Sequence, residues 1–273
     1  MRITFPPVAL CALTLGLGGL AHAQGMPTSQ PGLLTIIREE VKLGRGAEHE
    51  RIEAGWPAAF EKAKSPATYI ALTAMTGMNE VWFVIPSASH AAMAEDMKRD
   101  EGDPVLSAEL TRLARADADV LDGLRTIQAM ARPDLSYGAF PDLAMQRFWE
   151  ITTFRVRPGH EQEFAAAAAA YGASAKRAAP EVSYRVYEVI AGMPGPTYLI
   201  FSTVTGYAGF DAMLAQGIKT MQGLTAEEMA TLQKFAAEGM INAETNRYRL
   251  SAAMSYVDQA TKAKDPAFWA PKK

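Results

Sequence analysis

Charged and polar side chains occur at alternate positions in three apolar-rich stretches in the second half of the chain. They are Glu150 and Thr152 in the first stretch, Arg185 and Tyr187 in the second, and Arg247 and Arg249 in the third. Because alternate residues of a β-strand point to the same face of a sheet, each pair is expected to face one space. A few polar groups in an otherwise apolar cavity can hold a small polar or carboxylate-bearing ligand. Alternatively, these side chains are solvent-facing charges or structural ion pairs, since long charged side chains are seldom fully buried.

Histidine side chains are the next candidates, as metal or haem ligands. His49 and His160 precede Glu50 and Glu161 near the starts of two predicted helices. Adjacent residues on a helix point in directions about 100° apart, so neither pair can chelate a metal. Both histidines are therefore predicted to be surface residues without a metal. His90 begins another predicted helix, where it could be a haem ligand, although a lone histidine without a recognisable pocket is weak evidence for that role.

Three acids, Asp117, Asp119 and Asp122, lie close together in the sequence, but their spacing does not match a calcium-binding loop. Asp122 stands where such a loop needs glycine, and Gln128 where it needs a bidentate glutamate. The acids are therefore predicted to be the solvated side of a helix. The chain also has no glycine-rich phosphate loop, no Gly-x-Ser-x-Gly elbow and no His-Glu-x-x-His helix, so no such motif assigns a reaction.

The first 23 residues have the pattern of an export signal. Arg2 precedes an apolar run at 8–20, and Ala21-His22-Ala23 matches the small-x-small pattern before a signal-peptidase site. Residues 1–23 are therefore predicted to be a signal peptide, and the mature protein is predicted to be periplasmic or secreted. Cleavage would remove Cys11, the only cysteine, and with it any disulfide or thiol chemistry.

The overall charge does not indicate a nucleic-acid partner. The formal net charge is −3 at pH 7, and no basic block is longer than Lys272-Lys273. Such a chain lacks the positive surface that binds phosphate backbones or anionic membranes. No second apolar stretch is long enough to span a bilayer, so no membrane contact is expected in the mature form.

The elements that must position these residues follow the order of a ferredoxin-like unit, strand, helix, strand, strand, helix and strand, in each half. The predicted division is a linker (24–32), a first ferredoxin-like repeat (33–131), a linker (132–145), a second repeat (146–257) and a C-terminal tail (258–273). Pro57 interrupts the first helix, which is expected to kink or restart there.

Matching landmarks in the two halves predict an internal duplication. The aligned pairs are Gly46 with Gly159, Trp82 with Tyr198, and Ser107 with Thr225. Their separation rises from 113 to 118 residues, as small insertions in the second copy would produce. Ser107 and Thr225 are predicted to cap the long second helices, because their hydroxyls can accept hydrogen bonds from first-turn N–H groups.

The segment 154–164, FRVRPGHEQEF, runs from a strand through Arg157-Pro158-Gly159 into an acid-rich first helical turn. This segment and the topology around it resemble the dimeric α+β barrel superfamily, which includes NIPSNAP-like and antibiotic-biosynthesis-monooxygenase-like proteins. In that superfamily two ferredoxin-like sheets pack face to face into a barrel, usually by pairing two subunits. The resemblance covers about 33–257. It implies an α+β protein whose two tandem repeats pack sheet to sheet as an intramolecular α+β barrel, a monomer built as a pseudo-dimer.

Two functions follow from these observations. The first is an exported protein that binds a small molecule in or beside the barrel, without catalysis or cofactor. Its predicted ligand-binding residues are Glu150, Thr152, Arg185, Tyr187 and Arg249. The alternative, implied by the resemblance, is a monooxygenase-like enzyme that is either cofactor-independent or haem-dependent. The residues favour the binding protein because no acid-base or metal constellation stands out in the sequence.

Overall fold

A computed structural model describes residues 25–270, and the predicted signal peptide at 1–23 lies outside them. The first half contains β1 (Leu33–Val41), α1 (Gly46–Glu53), α2 (Gly55–Ala63), β2 (Tyr69–Ala74), β3 (Glu80–Ser87), α3 (His90–Glu101), α4 (Pro104–Ala118) and β4 (Leu121–Ala131). The second half contains β5 (Phe148–Val156), α5 (Glu161–Ala178), β6 (Arg185–Ala191), β7 (Thr197–Val204), α6 (Gly209–Gln222), α7 (Ala226–Lys234) and β8 (Met240–Tyr256). Two short helices follow, α8 (Gln259–Lys264) and α9 (Pro266–Trp269).

The eight strands form one closed antiparallel barrel in the order β1-β3-β2-β8-β5-β7-β6-β4. Each half supplies four neighbouring strands, β4-β1-β3-β2 and β6-β7-β5-β8. The halves are joined by hydrogen-bonded edges, β2 to β8 and β4 to β6. The predicted α+β barrel is therefore confirmed. Pairing of the four edge strands leaves no row of backbone N–H and C=O groups unpaired, which explains why the two half-sheets meet at their edges.

Alternate residues of every strand fill the inside of the barrel. Its core contains the large side chains Trp82, Trp149, Leu199 and Tyr248, each of them buried. The C-terminal Trp269 belongs to the same core, and its indole Nε1 donates to the carbonyl oxygen of Ala144 at 3.2 Å. The C-terminal tail thus packs against the barrel.

The helices cover the outer face of the barrel and form separate clusters with it. In the second half Val156, Phe164, Tyr198 and Phe235 pack together between the sheet and the helices. In the first half the helices α1, α2 and α4 share a cluster around Ile52, Leu106, Leu113 and Val120. Among the described residues, no helix combines the length and the apolar content that crossing a membrane requires.

Of the two predicted helix caps, Ser107 is wrong and Thr225 is confirmed. Helix α4 begins at Pro104, and its cap is Asp103, whose carboxylate accepts from the N–H groups of Val105 and Leu106. Ser107 therefore lies within the helix and does not cap it. Proline is well suited to the first helical position, so the helix begins at Pro104, three residues before Ser107. Thr225 caps α7 as predicted, in a reciprocal capping box with Glu228.

The predicted alignment of Trp82 with Tyr198 is wrong by one residue. Trp82 points into the barrel, whereas Tyr198 lies on the helix side, where its ring stacks on Phe164 with centroids 4.1 Å apart. Leu199, which points into the barrel, is the structural equivalent of Trp82. Shifting the alignment by one residue moves every side chain of the strand to the opposite face of the sheet. The face on which each side chain is buried therefore fixes the alignment of the two strands. The predicted break of the first helix is confirmed, since α1 ends at Glu53 and α2 begins at Gly55.

Candidate functional site

Arg185 and Tyr187 share a face of β6, as predicted, and that face points into the barrel. The Arg185 guanidinium donates to three carbonyl oxygens, of Tyr137 at 2.6 Å, Tyr184 at 2.7 Å and Gly138 at 2.7 Å. These hydrogen bonds fix the segment that connects the two halves to the start of β6. Burial lowers the pKa of Arg185 and raises the pKa of Tyr187. Arg185 therefore has a structural role, because most of its N–H donors bind backbone carbonyl oxygens.

The space inside the barrel is too small for most ligands. The cavity next to Arg185 and Tyr187 has a volume of about 80 Å³ and is bounded by apolar side chains such as Leu34, Leu72 and Trp149. A ligand pocket usually has at least about 300 Å³. The prediction that Arg185 and Tyr187 bind a ligand therefore finds no matching space within the barrel.

A much larger space lies outside the barrel, between the second-half sheet and its helices. This cleft has a volume of about 1500 Å³. Its floor is the outer face of β5 and β7, and its walls come from α5, α6 and α7. The exposed apolar side chains Leu214, Ile218 and Met221 of α6 line it. The cleft is thus wide and apolar, and it is open to solvent along α6.

Glu150 and Thr152 lie on the floor of this cleft, as their predicted common face requires. Glu150 Oε2 accepts from Arg247 Nε at 3.0 Å, across the β5–β8 pairing. The Arg247 guanidinium carbon lies 4.1 Å from the centre of the Phe210 ring. Thr152 Oγ1 is 2.9 Å from Thr245 Oγ1 on the neighbouring strand. The floor therefore presents one ion pair, held over an aromatic ring, within apolar surroundings.

Arg249 is not part of this group. It is exposed and lines neither the cleft nor the barrel cavity. Arg247, two residues earlier on the same face of β8, lines the cleft. The sequence alone does not show which of the two arginines lies near Glu150. The pairing of β8 with β5 shows that Arg247 lies opposite it. The five predicted residues thus divide among the cleft, the barrel interior and the solvent.

The histidine positions do not fit a histidine-bound haem. His90 is exposed at the start of α3, in the first half, and it does not line the cleft. The residues that line the cleft include no histidine and no cysteine. Histidine and cysteine thiolate are two of the main ligands by which proteins hold haem iron. The haem ligation considered for His90 is therefore not supported by the described residues.

Four ionisable side chains are buried together in the first half, and we call them the acidic cluster. They are Glu39 on β1, His49 and Glu53 on α1, and Asp117 on α4. Their residues are 6%, 1%, 3% and 4% exposed, respectively. One donor atom from each lies within 4.8 Å of the others. His49 Nε2 is 2.8 Å from Glu39 Oε2 and 3.7 Å from Asp117 Oδ1.

Burial of the acidic cluster shifts the pKa of two carboxyl groups. The pKa of Glu53 is raised to about 9, first by desolvation and then by the charges of Glu39 and Asp117. The pKa of Asp117 is raised to about 6 by desolvation and by Glu39, while His49 opposes the shift. In the described part of the chain, salt bridges join Glu39 and Asp117 to His49, and no lysine or arginine pairs with any of the three carboxyl groups. Protons or a bound cation must therefore balance the remaining charge.

The predicted positions of His49 and Asp117 are wrong. The sequence predicts His49 at the surface and Asp117 on the solvated side of a helix, but both residues are buried. Glu50, next to His49 in the sequence, lies on another face of the helix, whereas Glu53, four residues later, lies on the same face as His49. Two features of the sequence could have indicated the cluster. His49 and Glu53 are spaced four residues apart in a helix, and Glu39 lies in an apolar strand. Nothing in the sequence alone indicates that Asp117 joins them.

Comparison with known proteins gives similarity of structure only. No protein-family model matches the chain, and no curated protein matches it. A protein provisionally called a monooxygenase, from Fusobacterium nucleatum subsp. nucleatum ATCC 25586, superposes with a TM-score of 0.54 and 9% sequence identity. The match covers 81% of this chain and 92% of that one. Another protein provisionally called a monooxygenase, from Lactobacillus acidophilus NCFM, superposes with a TM-score of 0.51 at 8% identity, covering 84% of this chain and 100% of that one.

These similarities show a shared fold. The chain has a closed, eight-stranded antiparallel barrel with its helices on the outside, and its fold is similar to the folds of these two proteins. A common fold hosts many unrelated functions, so the activity must be argued from the cleft and the side chains that line it.

Proposed function

We propose that the protein binds an apolar or amphipathic small molecule in the cleft of the second half, without catalysis. The observation that supports this most directly is the cleft of about 1500 Å³, lined along α6 by Leu214, Ile218 and Met221. Of these, Leu214 is 64% exposed and Ile218 is 50% exposed. Contiguous apolar surface is unfavourable in water and commonly marks a binding site.

The polar floor of the cleft suggests one feature of the ligand. Among the described residues, the Arg247 side chain makes one hydrogen bond, from Nε to Glu150. Its two Nη groups can therefore donate to a carboxylate, phenolate or carbonyl oxygen of the ligand. Since Arg247 lies over Phe210, its position is fixed by an aromatic contact as well as by the ion pair. A ligand with an apolar body and one anionic or carbonyl end fits this arrangement.

The environment-sensitive dye 1-anilinonaphthalene-8-sulfonate, which has an apolar body and an anionic group, tests the proposal. Its fluorescence should rise on addition of the folded protein. Ile218→Glu places a charge in the cleft and should weaken dye binding at least about 10-fold, because the charged group must be desolvated. Leu43→Glu is the matched control, since Leu43 is 88% exposed and does not line the cleft.

Two outcomes would contradict the proposal. The first is dye binding that Ile218→Glu leaves unchanged. The second is a chain that forms dimers through α6, detected by light scattering and abolished by the same substitution, because a second copy would then cover the apolar surface. Native mass spectrometry of protein purified from its own host provides the identity of the ligand, as a bound mass released unchanged on unfolding.

A monooxygenase-like reaction in the same cleft is the second candidate. It is suggested by the two similar structures provisionally called monooxygenases, together with an apolar cleft that can hold an oxidisable aromatic substrate away from water. Oxygen uptake coupled to loss of an autoxidisable phenol would support the enzyme, and its loss in Ile218→Glu would assign the reaction to the cleft. Release of every bound molecule unchanged, with no oxygen uptake, would support the binding protein.

We also infer that the barrel arose by tandem duplication and acts as an exported monomer. The shared order of elements and the matching four-strand arrangements support duplication. The division into repeats at 33–131 and 146–257, with linkers at 24–32 and 132–145, belongs to the same proposal. Light scattering should give the mass of one chain. Amino-terminal sequencing of protein recovered from outside the cytoplasm should begin at Gln24 if the predicted signal peptide is removed.

A further inference from the structure

The second half of the chain shows that this fold does not require an acidic cluster. Glu39 is two residues before the end of β1, and Phe154 is two residues before the end of β5. Arg45 and His160 are the N-cap residues of α1 and α5, and His49 and Phe164 each follow their N-cap by four residues. The equivalents are thus Phe154 for Glu39 and Phe164 for His49. Phe235 precedes β8 by five residues, much as Asp117 precedes β4 by four.

These three phenylalanines occupy the same place between sheet and helices. Their ring centroids are 5.8 Å apart for Phe154 and Phe164, 6.5 Å for Phe154 and Phe235, and 5.5 Å for Phe164 and Phe235. An aromatic core therefore stabilises this position in one half, while three carboxyl groups and an imidazole occupy it in the other. Burying unpaired carboxylates opposes folding, so the acidic cluster needs a reason other than packing.

Unpaired atoms within the acidic cluster point to a missing partner. Glu53 Oε1 and Asp117 Oδ1 are buried without a hydrogen-bond partner among the described residues. The hydroxyl of Tyr69 is also buried without one, and the pKa of Tyr69 is raised by burial and by the nearby charge of Glu53. Tyr69 is 7% exposed, and it lies outside the set of four. Buried polar atoms in native proteins are nearly always satisfied, and an ion is one of the accepted explanations when they are not.

The geometry of the cluster suits a small divalent cation. The four donor atoms lie within 4.8 Å of one another. In a tetrahedral shell with bonds of roughly 2.1 Å, the donor atoms lie about 3.4 Å apart. The observed donor atoms would need to move together by up to about 1.4 Å when an ion binds. One imidazole nitrogen and three carboxylate oxygens form a donor set that suits Zn²⁺, Mn²⁺ or Fe²⁺ better than Mg²⁺, because Mg²⁺ favours oxygen donors and retained waters.

We propose that Glu39, His49, Glu53 and Asp117 form a closed site for one divalent first-row metal ion. The four donors come from β1, α1 and α4, so the ion ties two helices to the sheet. A site whose protein donors fill a four-coordinate shell has the character of a structural centre. The +2 charge of the ion balances most of the charge of three carboxylates, which no lysine or arginine of the described chain does. This site is independent of the ligand proposed for the second-half cleft.

The first test is metal binding by the purified full chain. Chain stripped with a chelator and titrated calorimetrically should bind one Zn²⁺ or Mn²⁺ per molecule, and should bind Mg²⁺ at least about 100-fold more weakly. Glu53→Gln and Asp117→Asn keep the side-chain shapes and remove the charges. Each should weaken binding of the transition metal at least about 100-fold, since a ligand is lost.

His160→Gln is the matched control. His160 is the N-cap residue of α5 in the second half, away from the proposed site, and its Nδ1 lies 3.6 Å from Glu163 Oε1. This variant should bind the metal as the unaltered chain does. Equal binding by the unaltered chain, Glu53→Gln and Asp117→Asn would overturn the proposal, because the ion would then lie elsewhere. A stoichiometry of zero would overturn it as well.

Cobalt substitution provides a second measurement that needs no variant to fold. Co²⁺ added to the metal-free chain should give the intense visible absorption of a four- or five-coordinate protein site, and equimolar Zn²⁺ should abolish it. The faint pink spectrum of hydrated Co²⁺, unchanged by the protein, would overturn the proposal. The unfolding temperature should also rise with saturating Zn²⁺ in the unaltered chain and in His160→Gln, but not in Glu53→Gln.

Discussion

Glu53 has a pKa of about 9 in the folded protein against 4.5 for an ordinary glutamate, and this gives the metal-free chain a defined pH dependence. The folded state holds the proton more tightly than the unfolded state. The contribution of Glu53 to the free energy of unfolding is therefore most favourable below pH 4.5, and it falls as the pH rises from 4.5 to about 9.

Glu53→Gln should remove this pH dependence, because the amide is neutral throughout. In the metal-free chain we expect Gln to increase the free energy of unfolding at pH 8 by on the order of 5 kcal/mol, and to change it little at pH 4.5. Urea denaturation at the two pH values measures both. The opposite sign at pH 8 would mean that Glu53 is ionised and well paired in the absence of metal.

Arg185 is expected to act on stability and not on ligand binding. Arg185→Met keeps the apolar stem and removes the donors to the carbonyl oxygens of Tyr137, Gly138 and Tyr184. We expect a loss of about 2–4 kcal/mol of unfolding free energy, since buried carbonyl groups lose a charged donor. Arg249→Met, at an exposed position, should change stability by less than about 0.5 kcal/mol. Unchanged stability with impaired dye binding would assign Arg185 to a ligand site instead.

At the scale of elements, the two long outer helices allow a matched comparison of helix caps. Thr225→Ala removes the hydroxyl that accepts from the Glu228 N–H at 3.2 Å, and should reduce stability by about 1 kcal/mol. Ser107→Ala should be close to neutral, because Asp103 caps that helix and Ser107 is exposed within it. Thermal unfolding of both variants measures the difference. Equal losses would show that Ser107 also stabilises the start of α4.

The strands could be predicted more fully than the contacts between them. Glu150 and Thr152 were predicted to share a face because the two-residue period of a strand is present in the sequence itself. Arg247 was not separated from Arg249, because the choice depends on a pairing between β5 and β8, which are remote in sequence. The acidic cluster could not be predicted for the same reason, since Asp117 comes close to Glu39 and His49 only in the folded chain, where α4 packs against α1.

At the scale of the whole molecule, the C-terminal Trp269 closes the core of the barrel. Trp269→Ala should reduce the free energy of unfolding by about 3–5 kcal/mol, because a large buried side chain is lost and leaves a cavity next to Ala144. Lys264→Ala is the control on the same tail, where an exposed ion pair with Asp142 contributes little. Chemical denaturation measures both variants. A small effect of Trp269→Ala would mean that the barrel holds together without its tail.

A barrel closed by a single chain has two unlike halves. When two identical subunits build such a barrel, every substitution appears on both sides at once, and the two sides cannot specialise. In this protein a substitution at one position of the sequence changes one half of the barrel only. Natural selection can therefore alter the proposed metal site and the proposed ligand cleft independently, because the two sites lie in different halves of one polypeptide.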